Sequence, residues 1–420
     1  MKVQKFMFLT SAALATGLAL SSCAGSAGSN GSGDGEGVPV GASDEQYQQA
    51  LADMPETTLV FQASPPSPDA IAAPRSLEFK KRVEEASGGK IKIDIVWGQA
   101  IASHSELDDA LVDGRVDIAT IAPIYNPAEY PVNDAFVSGT TLSSSSPRIG
   151  DLSSNAAMLE VAWNSPELMD EFTSKGLHPL LPFQPDGDQL LMCTDPVTSP
   201  EDWESQQIRV SSASQSQQIE AIGATAVSVE FPEIYEALQR GTIDCAISSG
   251  AMAIDMGFLD VATHLYYPED SALAPGALSV VAGSDYENLP MAAQQLIFDS
   301  LVTMFEQHRV TSLTGSADMA AAVRDLGGSI EQLDDSVVQD LQAVSTEMVS
   351  NRIENGTVPE NFGEEVEQSL EKWRGIIEEM NLGAEGEFQN LDEWHDPEQV
   401  DLVPFAERVY QEVMQEHRPE

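Results

Sequence analysis

Residues 237–244, ALQRGTID, answer residues 110–117, ALVDGRVD, so an A-L-x-x-G-x-[VI]-D pattern recurs after 127 residues. In each copy an amphipathic helical stretch runs into the glycine and an apolar strand follows it, 116–121 in the first and 243–247 in the second. Gly114 and Gly241 suit a helix C-cap in the left-handed region, where a side chain would be strained. Asp117 and Asp244 then open a strand, one in each copy, which makes them structural residues rather than a catalytic pair. Helix–Gly–strand is a common local grammar of α/β chains. Two copies, each with a strand upstream, predict two α/β lobes built alike, with a small-ligand crevice beyond the carboxyl ends of their strands.

Reading outward, TLVFQ at 58–62 is an apolar strand that ends in a loop carrying Pro65, Pro66 and Pro68. A helix from Pro74 with a Phe79, Val83 and Ala86 stripe stops at Gly88 and Gly89, and residues 90–96, KIKIDIV, alternate as a half-buried strand does. The second lobe repeats this order. It has strands at 189–193, 207–210 and 226–229, helices at 214–222 and 233–239, and a short helical turn at 201–205. Beyond about 285 the chain turns to long helical segments at 291–307, 317–325, 336–355 and 362–380.

The chain has 420 residues, with 68 acidic against 20 basic side chains and a net charge of −48. A field this negative repels phosphate, so nucleic acid is excluded as a partner, and it suits a heavily solvated, salt-tolerant surface. With 42% apolar residues in periodic patterns the chain is not disordered. Three cysteines, at 23, 193 and 245, match no zinc or iron–sulfur spacing; Cys193 and Cys245 fall on second-lobe strands, either as a disulfide or as buried thiols. The six histidines are scattered without metal-ligand spacing, and the G-x-S-x-G, H-E-x-x-H and P-loop motifs are all missing. His104 and Glu106 with Asp108 and Asp109 could form a cation site, but a solvated helix start accounts for them better. The reading is binding without chemistry, with no cofactor and no metal.

Lys2 and Lys5 precede an apolar stretch at 6–20 that is too short to span a membrane, and LSSC at 20–23 resembles the lipobox of bacterial lipoproteins. That resemblance implies a signal peptide over 1–22, cleavage before Cys23 and a diacylglyceryl thioether on its thiol. Loss of the two leader lysines takes the charge to −50. Residues 23–46 read as lipidated Cys and Gly/Ser-rich tether, so the body is extracytoplasmic and meets the cell membrane only through the lipid anchor.

Several stretches together carry a family resemblance: SGGKIKI at 87–93, GRVDIA at 114–119, QIRV at 207–210, GAT at 223–225 and above all FPEIYEALQRGTID at 231–244. With the first strand and its Pro-rich loop they occur, in order across roughly 57–380, as in the extracytoplasmic solute-binding proteins of tripartite ATP-independent periplasmic (TRAP) transporters, the dicarboxylate-binding-protein family. The chain resembles that family. The resemblance implies an α/β, two-lobed periplasmic-binding-protein-like fold with a hinge and long C-terminal helices. Lobe one would hold 57–186 plus about 275–320, lobe two 187–274 plus about 321–383, and 384–420 would be a C-terminal extension.

It further implies a receptor that closes on a small carboxylate and delivers it to TRAP membrane permease subunits driven by an ion gradient. The family's anchor arginine falls on Arg209, and a guanidinium fork suits a carboxylate because it gives two parallel charge-assisted hydrogen bonds. Elsewhere the chain departs from the pattern. Neutral Gln189 stands where some members carry a second basic contact, Ser248 where an Asn is usual, and Ser64 takes the polar position after the first strand. These departures point away from dicarboxylates and sialic acid toward a monocarboxylate with an apolar or hydroxylated body, packed by Phe231 and Trp97. The alternative is a binding lipoprotein of an ATP-driven importer or sensor system for a sugar or other neutral solute.

Overall fold

The computed structural model describes residues 37–229, 231–383, 386–396 and 399–420. The signal-peptide, Cys23 and early tether assignments lie outside the described residues. Among the described residues, eleven strands form two sheets. The first has the order β2-β1-β3-β10-β4, built from β1 (Thr57–Ala63), β2 (Ile91–Trp97), β3 (Ile118–Ile121), β4 (His178–Pro185) and β10 (Ala277–Ala282). The second has the order β11-β9-β5-β8-β6-β7, built from β5 (Leu190–Cys193), β6 (Gln207–Val210), β7 (Thr225–Ser228), β8 (Cys245–Ser248), β9 (His264–Tyr267) and β11 (Ser329–Gln332). In each sheet a trio of parallel strands at one edge, β2-β1-β3 and β8-β6-β7, is continued by an antiparallel neighbour, β10 against β3 and β5 against β8.

The repeated octapeptide does the same work in both sheets. Gly114 and Gly241 adopt positive φ, +78° and +66°. The two amides after each glycine return to one carbonyl, that of Ala110 in the first copy and of Ala237 in the second. Each aspartate then stitches the next strand to its parallel neighbour. Asp117 Oδ2 accepts from Val60 N at 2.6 Å, and Asp244 Oδ2 accepts from Gln207 N at 2.8 Å, while each aspartate's own amide donates back to the same partner's carbonyl. A carboxylate placed one residue before a strand thus fixes the register of a parallel pair, which lacks a connecting hairpin to set it.

The chain crosses between the sheets at 186–189, after β4, and at 268–276, before β10. A third connection is helical. With α1 (Asp44–Ala50), α2 (Pro74–Ala86), α3 (Leu107–Val112), α4 (Pro131–Thr140), α5 (Ile149–Trp163), α6 (Pro166–Thr173), α7 (Ala213–Ala221), α8 (Ile234–Arg240) and α9 (Gly250–Asp255) assigned in chain order, α10 is a single helix of 35 residues, Met291–Asp325. The sequence reads as two helices there because Thr311, Thr314 and Gly315 are poor helix formers. Packing overrides them: α9 crosses α10 so closely that a Cβ on Gly315 would sit 2.6 Å from the Ala251 Cβ and one on Gly250 2.8 Å from the Gly315 carbonyl oxygen. Gly315→Ala should therefore cost about 1 kcal/mol net, since a clash of about 2 kcal/mol exceeds the roughly 1 kcal/mol that alanine gains in a helix. Gly375, on an exposed helical face with open space around it, should show the opposite sign on the same substitution; equal Tm changes for the two variants would refute the packing account.

Phe305 and Leu313 of α10 join the core under the first sheet, while Ala317, Met319 and Val323 join the core under the second. The expected lobe boundary at about 320 therefore falls inside one continuous helix. A second boundary is corrected as well. Helix α11 (Asp335–Glu354) packs Val337 and Leu341 against the second sheet, but α12 (Phe362–Glu379), expected within lobe two at 321–383, lies on the first core. Phe362 meets Phe136 with ring centroids 5.0 Å apart, and Trp373 Nε1 donates to Glu160 Oε2 at 2.8 Å. The extension at 384–420 seals both cores, Phe388 and Leu391 on the second, and Phe405, Val409 and Met414 on the first.

The tether expected through residue 46 is docked from Gly37 onward. Val38 N donates to Gln295 Oε1 at 2.7 Å, and α1 buries Tyr47, whose hydroxyl reaches Asp299 on α10. Arg418 grips the same Asp299 through Nε at 2.9 Å and Nη2 at 3.1 Å, and its Nη1 donates to the Val38 carbonyl at 2.9 Å. Cys193 and Cys245, directly opposite in the β5–β8 pair, are joined in a disulfide. No helix among the described residues is long and apolar enough to cross a membrane.

Candidate functional site

Register places the carboxyl ends of β1, β2 and β3 together with the carboxyl end of β4 and the start of β10. In the second sheet the carboxyl ends of β6 and β8 meet the start of β5. Loops from these two edges enclose a cleft of about 320 Å³, with Ser64, Arg75, His104 and Tyr125 on the first side and Phe231 and Met252 on the second. The rest of the lining is largely apolar, including Pro65, Ile124, Met256 and Leu278. That volume and lining suit a small molecule with an apolar body and few polar groups.

Each wall is positioned from below. Buried Gln62 on β1 holds the loop after β2 by accepting from Ile101 N and Ala102 N, both at 3.1 Å, and donating to Ala102 O at 2.9 Å. That loop turns through Gly98 and Gln99, both at φ +57°, and the Gln99 side chain accepts from His104 N at 3.2 Å. The His104 ring lies 5.3 Å from Tyr125, and burial holds its imidazole below its ordinary pKa. Across the cleft, Asp255 on α9 accepts from Ile71 N at 3.3 Å with both oxygens, a bridge from the Pro-rich loop of the first lobe to the second. Burial raises the Asp255 carboxyl above its usual range, and the Ile71 amide opposes that shift.

Beneath the cleft the crossing at 186–189 rests on a polar spine. Arg309 of α10 is fully buried and donates through Nη1 to Asp151 Oδ1 at 2.8 Å and through Nη2 to Pro185 O at 3.2 Å; Ser312 Oγ donates to the same Asp151 oxygen at 3.2 Å. His308 Nε2 lies 3.3 Å from Asp186 Oδ1. Burial, with Arg309 and Arg75 nearby, drives the His308 imidazole well below its ordinary pKa, so a neutral ring lies beside Asp186.

Of the residues expected at the site, Ser64 and Phe231 line the cleft. Arg209 on β6 is 5% exposed; its Nε donates to Val229 O at 3.2 Å and its guanidinium carbon lies 6.0 Å from the Phe231 ring, so it sits behind a cleft wall. Ser248 ends β8 beside Ser249, which reaches the cleft, while its own hydroxyl is turned to the Ser249 carbonyl at 3.3 Å. Gln189 is turned into the crossing, donating to Asp186 O at 3.3 Å and Gly187 O at 3.2 Å, and lines a small polar recess instead. Trp97 packs against the first core, and it is the following glycine that borders the cleft.

Arg75, His104, Tyr125, Asp186 and Asp255 are cleft residues that the sequence reading did not assign to the site. For Arg75 a signal existed. It stands in the first turn of α2, where the helix dipole disfavours a cation, so some other partner has to favour it there.

The sequence model of one family, described as bacterial extracellular solute-binding protein, family 7 (DctP), matches residues 62–355. The ectoine-binding periplasmic protein TeaA of Halomonas elongata is 22% identical over 209 residues, which span 49% of this chain and 59% of TeaA. Among solved structures, a TRAP solute-binding protein from Rhodoferax ferrireducens in complex with copurified benzoate superposes with a TM-score of 0.64 at 19% identity, covering 78% of this chain and all of that one. A marine metagenome TRAP solute-binding protein specific for pyroglutamate gives 0.63 at 17%, covering 76% of this chain and 99% of the other.

Proposed function

The chain belongs to the bacterial extracellular solute-binding proteins of family 7, and from that premise we infer that it is the receptor subunit of a TRAP transporter for a small organic acid. The observation that carries this reading is Arg209, buried on β6 behind the Phe231 ring, which itself lines a largely apolar cleft between the two sheets. A buried guanidinium remains charged and its planar fork suits a carboxylate brought to it by closure, while the Phe231 ring packs the ligand's apolar body. The crossings at 186–189 and 268–276 are the hinge segments, and closing brings the two walls together on the ligand. The receptor then hands its acid to separate permease subunits and performs no turnover. Signal-peptide cleavage and lipidation at Cys23 hold it outside the membrane.

A thermal-shift screen against monocarboxylates, dicarboxylates, sugar acids and neutral sugars tests this. One acid class at about a hundred times its Kd should stabilise the protein by about 2.7 kcal/mol, roughly 3 °C at this length, and Arg209→Ala should abolish the shift. A shift with neutral sugars alone would replace the carboxylate reading with the sugar-receptor alternative.

A further inference from the structure

The geometry points to Arg75, with Ser64, as a carboxylate-binding subsite on the first lobe, in a cleft whose own acids restrict the ligand to a single negative charge. This rests on the organic-acid reading above and extends it to a residue and a charge class.

Arg75 is 7% exposed and lines the cleft, with its Nη2 donating to Ser64 Oγ, the first residue beyond β1. Its countercharge is loose. Asp186 Oδ1 stands 4.0 Å from Nη1, beyond hydrogen-bond distance, and the same oxygen is engaged at 3.3 Å by His308. A desolvated guanidinium with one hydroxyl partner and a distant carboxylate has donors left over for a ligand in the cleft it faces. A carboxylate entering there takes the two-pronged geometry that Asp186 does not supply. With four lone-pair positions, one carboxylate can accept from Arg75 and still have room for a further donor from the second lobe.

The charge balance sets the class of acid. Asp186 and Asp255 both line the cleft against the one Arg75 guanidinium, burial already disfavours charge on both carboxyls, and His104, held below its ordinary pKa, adds no cation to offset more. A second carboxylate on the ligand would be brought against one of these acids in a low-dielectric space, which is costly. The remaining lining is mostly apolar, with the Tyr125 and Phe231 rings on opposite walls. A monocarboxylate with a ring or compact apolar body matches both features.

The test is calorimetric titration of the full chain with monocarboxylates (benzoate, pyroglutamate, 3-hydroxybenzoate) and the dicarboxylates phthalate and glutarate. The wild type should bind a monocarboxylate and reject the dicarboxylates at least tenfold. Arg75→Gln should raise the Kd of that acid about thirtyfold or more, as removal of a buried charged partner does. Arg75→Lys, which keeps charge but loses the fork, should fall between. Asp255→Asn should narrow the gap between the acid and its dicarboxylate counterpart. Unliganded melting of each variant near the wild-type temperature establishes that it folds. Wild-type affinity in folded Arg75→Gln overturns the subsite while leaving the organic-acid receptor intact; a dicarboxylate bound as tightly as its counterpart overturns the charge rule; binding of no acid at all overturns both this inference and the reading beneath it.

Discussion

Replacing Asp151 by alanine should lower the stability of the folded protein by about 4 kcal/mol, a fall in Tm of about 5 °C for a body of this size. Arg309 is fully buried, and Asp151 is the carboxylate that meets it, at 2.8 Å. Burial pushes the Asp151 carboxyl above its ordinary pKa, while Arg309 and the Ser312 hydroxyl pull it back. Removing the carboxylate leaves a guanidinium that cannot shed its proton, with the Pro185 carbonyl as its remaining hydrogen-bond acceptor and only the more distant Asp186 as a countercharge. The penalty is that of an uncompensated buried charge, larger than the net worth of the pair. The double variant Asp151→Leu/Arg309→Met should therefore recover most of the loss. Urea denaturation of the single and double variants decides the matter, and a double variant as unstable as the single one would show that the pair's shape rather than its charge matters.

Replacing Cys193 and Cys245 together by alanine should cost a similar amount, about 4 kcal/mol. The disulfide closes 52 residues of chain, and restricting a loop of that length in the unfolded ensemble is worth about that much on the chain-entropy account. The closed segment carries β6, β7 and α8, and with them Arg209 and Phe231. In the unfolded chain it would gain most from release. An oxidising extracytoplasmic compartment preserves the bond. Equal denaturation midpoints for the wild type and the double variant would remove the bond from the list of stabilising features.

What could be read from the chain was the part governed by neighbours in sequence. The ALxxGx[VI]D repeat is legible because positive φ at Gly114 and Gly241 and the strand-opening carboxylates of Asp117 and Asp244 are local requirements. Helix α2 is legible for the same reason, since Pro74, the Phe79–Val83–Ala86 stripe and the Gly88–Gly89 stop lie within one short window. The failures are long-range. Gly315 looks like a break until Ala251 is seen pressed against it, and nothing near α12 in sequence says that Phe362 packs on Phe136 rather than on the second sheet. Within the site, Ser64 and Phe231 follow strand and helix grammar into the cleft. Gln189 and Trp97 sit at the correct strand ends, but their side chains are turned by contacts no local pattern encodes. Arg75 was missed because its partners, Ser64 and Asp186, come from two different loops.

Arg418 holds the Val38 carbonyl, and Gln295 binds both Val38 N and the Pro419 carbonyl, at 2.7 and 2.9 Å. The described body is thereby almost a ring. Two stretches far apart in sequence, around Val38 and around Arg418, are pinned to one place on α10. For a receptor with its cleft between two sheets, this has a practical side. A fluorophore or an immobilising support fixed beside Val38 or beside Arg418 sits at the same point on α10, away from both crossings.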